Sequence, residues 1–218
     1  MAKKESTFLN MVLTLFLVTG ISALALGLVY NVTKEPIEMA KLQRLKDAIN
    51  IVIPGADAAQ VSEEIVVPAH DGTGDLLFYE VHKDGELMGT AIRSFTSRAF
   101  SGYMSVMVGL APDGTIIDSN VLEHLETPGL GDKTCKTVSD WNEQYVGKNP
   151  GEFDLRVKQD GGQVDAITAA TITARGYSDA IQRAFDTYMK YISEKDSDEH
   201  TAEVTKDDSP ETDNINNK

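Results

Sequence analysis

The chain has 218 residues, of which 41% are apolar, and it carries a formal net charge of −14. This length suffices for one sizeable domain with a buried core, whereas two domains would be crowded. The strong negative charge argues against nucleic acid as a partner, because a phosphate-binding surface needs clustered lysines and arginines. With Cys135 as its only cysteine, the chain alone can build neither an intramolecular disulfide nor an iron–sulfur cluster. The four histidines show no ligand spacing, so no metal site is predicted.

An apolar segment at residues 8–30 is the first predicted element, and it contains no ionisable side chain before Tyr30. A helix of this length crosses about 30 Å of hydrocarbon, so we predict a membrane anchor. Lys3 and Lys4 precede it, which places residues 1–7 in the cytoplasm and the rest of the chain on the opposite side. A cleavable signal peptide is the alternative, because Ala23-Leu24-Ala25 fits a small-x-small cleavage site.

Residues 31–55 are predicted to form a helical connector, since apolar residues recur at helical spacing from Pro36 until Pro54-Gly55. Runs typical of strands follow at 76–82, 87–95, 103–110 and 115–122. Asp84-Gly85 and Asp113-Gly114 lie between neighbouring runs, and such pairs are typical of tight hairpins. Strands joined this closely are antiparallel, which disfavours a Rossmann-type nucleotide fold.

A short helix near 139–146 and a long helix at about 175–193 complete the predicted domain. We therefore predict an α+β fold for residues 56–193, an antiparallel sheet flanked by helices, after one transmembrane helix. Residues 194–218 hold nine acidic residues against three lysines and few large apolar side chains, so we predict a disordered acidic tail.

Two segments have the composition of a binding site. Residues 162–176 read GQVDAITAATITARG and combine hydroxyl and small side chains just before the last helix. The unpaired N–H groups at a helix start favour a phosphate. Residues 124–133 read HLETPGLGDK, and their proline and glycines force a tight loop whose backbone can approach a flat heterocycle or a phosphate.

The segment 165–173, DAITAATIT, resembles the flavinylation motif found in the G subunit of the Rnf complex and in the C subunit of sodium-translocating NADH:quinone reductase. In that family a flavin transferase uses FAD to attach FMN to the motif threonine through a phosphoester. The resemblance makes Thr171 the acceptor, with Asp165 as the motif aspartate and Thr168 at the first hydroxyl position. Ala169 stands where glycine is commoner, before Ala170, and Thr173 is the alternative acceptor.

The second segment looks like the Glu-Thr-Pro-Gly-Leu-Gly signature of the same family. The chain length and the single span favour the Rnf protein over the quinone-reductase protein. By this resemblance we expect the loop to fold over the flavin ring, Thr127 to hydrogen-bond ring or phosphate oxygens, and Lys133 to stabilise the anionic reduced form of the flavin. The expected cofactor-binding residues of the loop are Glu126, Thr127, Pro128, Gly129, Leu130, Gly131 and Lys133.

The resemblance implies a redox subunit, not an independent enzyme, that carries electrons with covalent FMN in a complex coupling ferredoxin and NAD to ion transport. Its expected partners are the membrane and iron–sulfur subunits of that complex and, during maturation, the flavin transferase. The expected location is a bacterial inner membrane, with the soluble domain on the extracytoplasmic side. Two alternatives stay open: the quinone-reductase C subunit, and an assembly or sensor module without flavin. A free-standing flavin reductase is disfavoured, because the sequence has no glycine-rich dinucleotide fingerprint.

Overall fold

The computed structural model describes residues 8–207, except for the side chains of residue 196 and of residues 198–207. The predicted cytoplasmic segment, 1–7, and the end of the predicted tail, 208–218, lie outside these residues. The chain divides into two units, Met1–Asp47 and Ala48–Lys218.

Helix α1, Phe8–Val52, is long and apolar enough to cross a membrane, with a mean hydropathy of 2.4 in its most apolar window. One helix covers both the predicted anchor, 8–30, and most of the predicted helical connector, 31–55, and it runs through Pro36 without interruption. A proline removes one backbone hydrogen bond. The residues that follow Pro36 in the helix include no glycine and many good helix formers, so the helix stays favourable. The predicted end at Pro54-Gly55 is confirmed, since Gly55 adopts a left-handed φ of +93°.

Within residues 8–207, six strands form one sheet in which every pairing is antiparallel. They are β1 Gln60–Val61, β2 Ile65–Pro68, β3 Asp75–Lys83, β4 Glu86–Ala99, β5 Gly102–Leu110 and β6 Ile116–His124. The order is β1-β3-β4-β5-β6, with β2 also paired to β3. The predicted antiparallel meander is confirmed by β3 to β6, whereas the short strands β1 and β2 were not predicted.

The hairpin between β3 and β4 shows why these strands pair as they do. Asp84 and Gly85 have φ values of +54° and +87°, and a two-residue turn with both residues at positive φ matches the twist of the strands it joins. The pair Asp113-Gly114 lies in the connection between β5 and β6, where Gly114 has a φ of +83°.

Helix α2, Thr171–Asp207, packs across β4 and β5. Its buried stripe meets the face of the sheet that contains Ile92 and Val108, and together they form the main hydrophobic core. On the other face, the end of α1 closes over the sheet so tightly that a Cβ on Gly109 would lie 2.3 Å from the carbonyl oxygen of Val52. The central strands are therefore covered on both faces, and this gives the domain a rigid centre.

Two predictions about the last elements need correction. The last helix begins at Thr171 and continues to Asp207, so it starts before and ends after the predicted range of about 175–193 and includes residues 194–207. These residues contain no glycine and no proline before Pro210, and Lys190 and Glu194 form an ion pair one turn apart at the start of this stretch. The short helix predicted near 139–146 is a 3₁₀ segment, Trp141–Tyr145.

Candidate functional site

A cavity of about 330 Å³ lies where the β4–β5 turn, the loop after β6 and the start of α2 meet. Its volume is within the range of small-molecule sites. Its walls are formed by Phe100, Glu126, Thr127, Leu130, Gly131, Ala169, Ala170, Thr171, Ile172 and Thr173. The two segments identified in the sequence thus share one cavity, although residues 134–161 separate them.

The loop wall of this cavity is built on a β-turn at residues 127–130. The Leu130 amide donates to the Thr127 carbonyl oxygen over 3.2 Å, with Pro128 and Gly129 at the two central positions. Gly129 has a φ of +78°, which is the conformation that a type II turn requires at its third residue. The Pro-Gly pair therefore fixes the backbone here and leaves the Thr127 side chain exposed.

The helix wall of the cavity begins at a backbone reversal. Ala169 has a φ of +64°, a left-handed conformation that glycine adopts more readily than alanine. The Ala170 carbonyl oxygen then accepts the Ala174 amide over 3.0 Å, so Thr171 is the first helical residue. The N–H groups of the first turn have no partner within the helix, and they carry the positive end of its dipole.

The two candidate acceptor hydroxyls of this turn have different environments. Thr171 is half-buried and lines the cavity, and among the described residues its hydroxyl has no hydrogen-bond partner. Thr173 is 1% exposed, and its hydroxyl donates to Glu126 Oε2 over 2.7 Å. Of the two, Thr171 therefore offers the hydroxyl that an incoming group can reach.

Glu126 connects the three segments that form the cavity. Its side chain is buried, and Oε1 accepts the Ser101 amide of the β4–β5 turn over 2.8 Å while Oε2 accepts the Thr173 hydroxyl. Gly131 packs against this carboxylate, since a Cβ at that position would lie 2.5 Å from Oε2. Glu126 is the one ionisable residue among those that line the cavity.

Five expected cofactor-binding residues do not line the cavity: Asp165, Thr168, Pro128, Gly129 and Lys133. Pro128 and Gly129 shape the turn, as described above. Thr168 is exposed just before Ala169. Lys133 lies in a 3₁₀ segment, Gly131–Thr134, where its carbonyl oxygen accepts the Ser139 hydroxyl over 2.7 Å. The roles expected of these residues stay predictions.

Asp165 is held mainly through its backbone. Its carbonyl oxygen accepts the Trp141 indole N–H over 2.6 Å, and its amide donates to Gln144 Oε1 over 2.7 Å. Its carboxylate forms an exposed ion pair with Lys158 Nζ at 2.7 Å. The motif aspartate thus ties the segment before α2 to the Trp141–Tyr145 turn.

An aromatic cluster below the helix start keeps α2 in place. Trp141, Tyr145 and Tyr177 lie with ring centroids 5.3 to 5.5 Å apart. The Tyr177 hydroxyl lies 2.7 Å from Ser119 Oγ, and the Tyr145 hydroxyl lies 2.9 Å from Ser178 Oγ. Burial raises the pKa of both phenols well above the usual range, so they stay neutral and serve as hydrogen-bonding anchors.

Cys135 offers no thiolate chemistry near this site. The side chain is half-buried directly after the Gly131–Thr134 segment, and burial raises the pKa of its thiol above its ordinary value. A thiol is a weak nucleophile until it ionises. Cys135 is therefore a structural residue at neutral pH.

Sequence reasoning missed Phe100 and Ile172 as residues of the cavity wall. Both are large apolar side chains that stay exposed, Phe100 at 66% and Ile172 at 47%. Phe100 lies in the β4–β5 turn, where an exposed aromatic residue is the available signal, and Ile172 lies inside the motif between its two threonines. Together with Leu130 they give the cavity an apolar rim.

A larger cavity of about 420 Å³ lies beside the first one and shares Ile172 with it. It contains three arginines, and each is paired with an aspartate: Arg98 with Asp179, Arg156 with Asp154, and Arg175 with Asp160. Paired arginines leave little net positive charge for a phosphate. The smaller cavity, which has a helix start and an accessible hydroxyl, is the better candidate site.

Comparisons with known proteins agree with this location. A model of the FMN-binding domain matches residues 100–186, which include the cavity walls. The G subunit of the ion-translocating oxidoreductase complex of Aliivibrio fischeri strain ES114 is 32% identical over 194 residues, covering 85% of this chain and 91% of the relative. The proteins of the same name from Vibrio atlanticus and Erwinia tasmaniensis are 34% and 33% identical over 172 residues, covering 76% of this chain and 80% of each relative.

These relatives are similar along most of both chains, and they carry the same name in different genera. The resemblance to the Rnf G subunit is therefore confirmed, as is the α+β fold after one apolar helix. The chain belongs to the family of G subunits of ion-translocating oxidoreductase complexes, and its residues 100–186 match the FMN-binding domain.

Proposed function

We propose that this chain carries FMN, attached covalently to Thr171 through a phosphoester, and passes electrons within an ion-translocating oxidoreductase complex of the membrane. One observation carries the proposal: Thr171 lines the cavity at the start of α2, and among the described residues its hydroxyl has no hydrogen-bond partner. The family match to the FMN-binding domain supports FMN as the group that binds there.

The residues of the cavity fit the two chemically different ends of FMN. The backbone N–H groups at the start of α2 would hold the phosphate, since a helix start favours an anion. The small side chains of Ala169 and Ala170 leave the backbone accessible there. The apolar rim of Phe100, Leu130 and Ile172 would pack against the flavin ring, and Thr127 would donate a hydrogen bond.

FMN bound in this way accepts two electrons and can release them one at a time, so it connects hydride donors with one-electron centres. The chain would orient the FMN and set its electrostatic environment, and the covalent bond would prevent loss of the FMN. We propose that the complex transfers electrons between ferredoxin and NAD, with iron–sulfur subunits as electron-transfer partners. The chain would then act only within the complex and not as an independent enzyme.

The location follows from α1, which can span a membrane and has its apolar side chains exposed. We propose a single-pass protein of the bacterial inner membrane, with residues 56–193 as an FMN-binding domain on the extracytoplasmic side. A flavin transferase that uses FAD would attach the FMN there.

The test is to co-express the full chain with an FAD-dependent flavin transferase and to map the modification by mass spectrometry of its peptides. We expect one added FMN, less water, on Thr171, and a fluorescent band on a denaturing gel that Thr171→Ala abolishes. Thr137→Ala is the matched control, because Thr137 is exposed and does not line the cavity. A wild-type chain that gains no mass would refute the proposal and favour an assembly or sensor module without flavin.

The electron donor and acceptor need a separate experiment on the purified complex. Reduction of NAD by reduced ferredoxin would support ferredoxin and NAD as the electron donor and acceptor of the complex. Oxidation of NADH by a quinone, without activity towards ferredoxin, would refute this proposed pair.

A further inference from the structure

The buried carboxylate of Glu126 receives hydrogen bonds from two segments that are far apart in sequence. Ser101 lies between β4 and β5, whereas Thr173 lies in the first turn of α2. Hydrogen bonds to a charged acceptor are stronger than neutral ones, and breaking one of them leaves a buried group unsatisfied. Glu126 therefore sets how closely the helix start approaches the loop and the β4–β5 turn.

The orientation of Glu126 is itself fixed by its neighbours. The Glu126 amide donates to His124 Nδ1 over 3.1 Å, which holds the backbone before the turn. Behind the carboxylate, Gly131 leaves no space for a larger side chain. The carboxylate thus cannot move aside without breaking its bonds to Ser101 and Thr173.

We infer that Glu126 is the positioning residue that selects Thr171 over Thr173 as the acceptor, by binding the Thr173 hydroxyl and fixing the first turn of α2. This inference rests on the proposed covalent attachment of FMN. With Glu126 in place, the Thr173 hydroxyl is buried and bound to a carboxylate, whereas the Thr171 hydroxyl has no hydrogen-bond partner among the described residues.

The selected step is a phosphoryl transfer without oxidation or reduction. Thr171 Oγ forms a bond to the phosphorus of the FMN half of FAD, and the bond from that phosphorus to the AMP phosphate breaks. The electron pair of that bond leaves with AMP, and the hydroxyl proton passes to solvent. Glu126 takes no part in these bond changes, since it acts through Thr173 and Ser101.

The experiment measures the initial rate and the position of FMN attachment in the full chain with an FAD-dependent flavin transferase. Glu126→Ala and Thr173→Val each remove the bond between these residues, and each should lower the rate at Thr171 about tenfold or more. The double variant should be no more than about twofold slower than the slower single variant, because both changes remove the same interaction. The inference would be overturned if the rate losses of the two single variants multiplied in the double variant. It would also be overturned if the single variants attached FMN at rates within about twofold of the wild type.

Conservative variants test whether Glu126 acts through its hydrogen bonds to Ser101 and Thr173. Glu126→Gln can still accept the Ser101 amide and donate to Thr173 Oγ1, and Thr173→Ser keeps the hydroxyl, so both should restore attachment at Thr171. Glu123→Gln is the matched carboxylate control, because Glu123 is exposed and pairs with Arg93 on the sheet. If Glu126→Gln is as slow as Glu126→Ala, the positioning role is wrong.

Hydrogen exchange of the Ser101 amide in the unmodified chain gives a readout that does not depend on FMN. Exchange should accelerate in Glu126→Ala and stay slow in Glu126→Gln. If Glu126→Ala fails to fold, the rate of FMN attachment in Thr173→Val serves as the test, because valine preserves the volume of the side chain. A wild-type chain that is never modified would refute the proposed function, whereas normal modification with unchanged exchange in Glu126→Ala would refute the role of Glu126 alone.

Discussion

Replacement of Ala169 by glycine should stabilise the domain, although glycine usually weakens a folded chain. Ala169 has a φ of +64°, and a residue with a Cβ loses about 1–2 kcal/mol in this conformation. Glycine removes that strain but adds about 0.4–1 kcal/mol of backbone entropy to the unfolded state. Because the Ala169 side chain is exposed, its methyl group contributes little packing. The midpoints of these two ranges give a net gain in the free energy of unfolding of about 0.8 kcal/mol.

Thermal unfolding of the detergent-solubilised chain without FMN, followed by near-ultraviolet circular dichroism, measures this gain. For a domain of this size it corresponds to a Tm increase of about 1–4 °C. Ala59→Gly is the matched control, because Ala59 has an ordinary φ of −107° and should lose about 0.4–1 kcal/mol. If Ala169→Gly lowers the Tm as much as Ala59→Gly does, the strain assigned to Ala169 does not exist.

Two further predictions concern the second turn of α2. Gly176→Ala should lower the free energy of unfolding measured in urea, because the new Cβ would lie 2.7 Å from Ala99 Cα. The cost of this overpacking, about 1–3 kcal/mol, exceeds the gain of about 1 kcal/mol in helix propensity. An increase in stability would contradict this packing. Arg175 holds the pKa of Asp160 below its ordinary value of 3.8. A carboxylate whose pKa is lowered in the folded state stabilises the fold above about pH 4, and this stability is lost as the pH falls through the folded-state pKa. Arg175→Ala should therefore lower the Tm near pH 6 but not near pH 2, and equal losses at both would refute the effect of this ion pair.

The sequence predicted the long elements of the fold because their signals are local. Strands β3 to β6 show clear apolar runs, and the hairpin pair Asp84-Gly85 fixes one connection without help from distant residues. Strands β1 and β2 have two and four residues, and they exist because β3 offers them backbone partners. Such pairing depends on tertiary contacts, which no short window of sequence contains.

The site was predictable in its composition but not in its arrangement. The two motifs indicated a helix start with hydroxyl groups and a tight loop, and the cavity contains residues from both. The bond between Glu126 and Thr173 spans 47 positions, so it could not be read from spacing. The same bond explains why the two threonines of the motif differ, although both are hydroxyl residues near one helix end.

At this site the chain positions the Thr171 hydroxyl and contributes little chemical reactivity. Glu126 is the one ionisable residue that lines the cavity, and its oxygens already accept bonds from Ser101 and Thr173. It is therefore poorly placed to remove a proton from Thr171, whose hydroxyl is unactivated at neutral pH. A phosphoryl transfer to such a hydroxyl needs a catalyst that supplies a base and neutralises the charge on the phosphates. Since the cavity supplies neither group, the proposed attachment of FMN would require a separate enzyme, and the fold would decide only which hydroxyl that enzyme can reach.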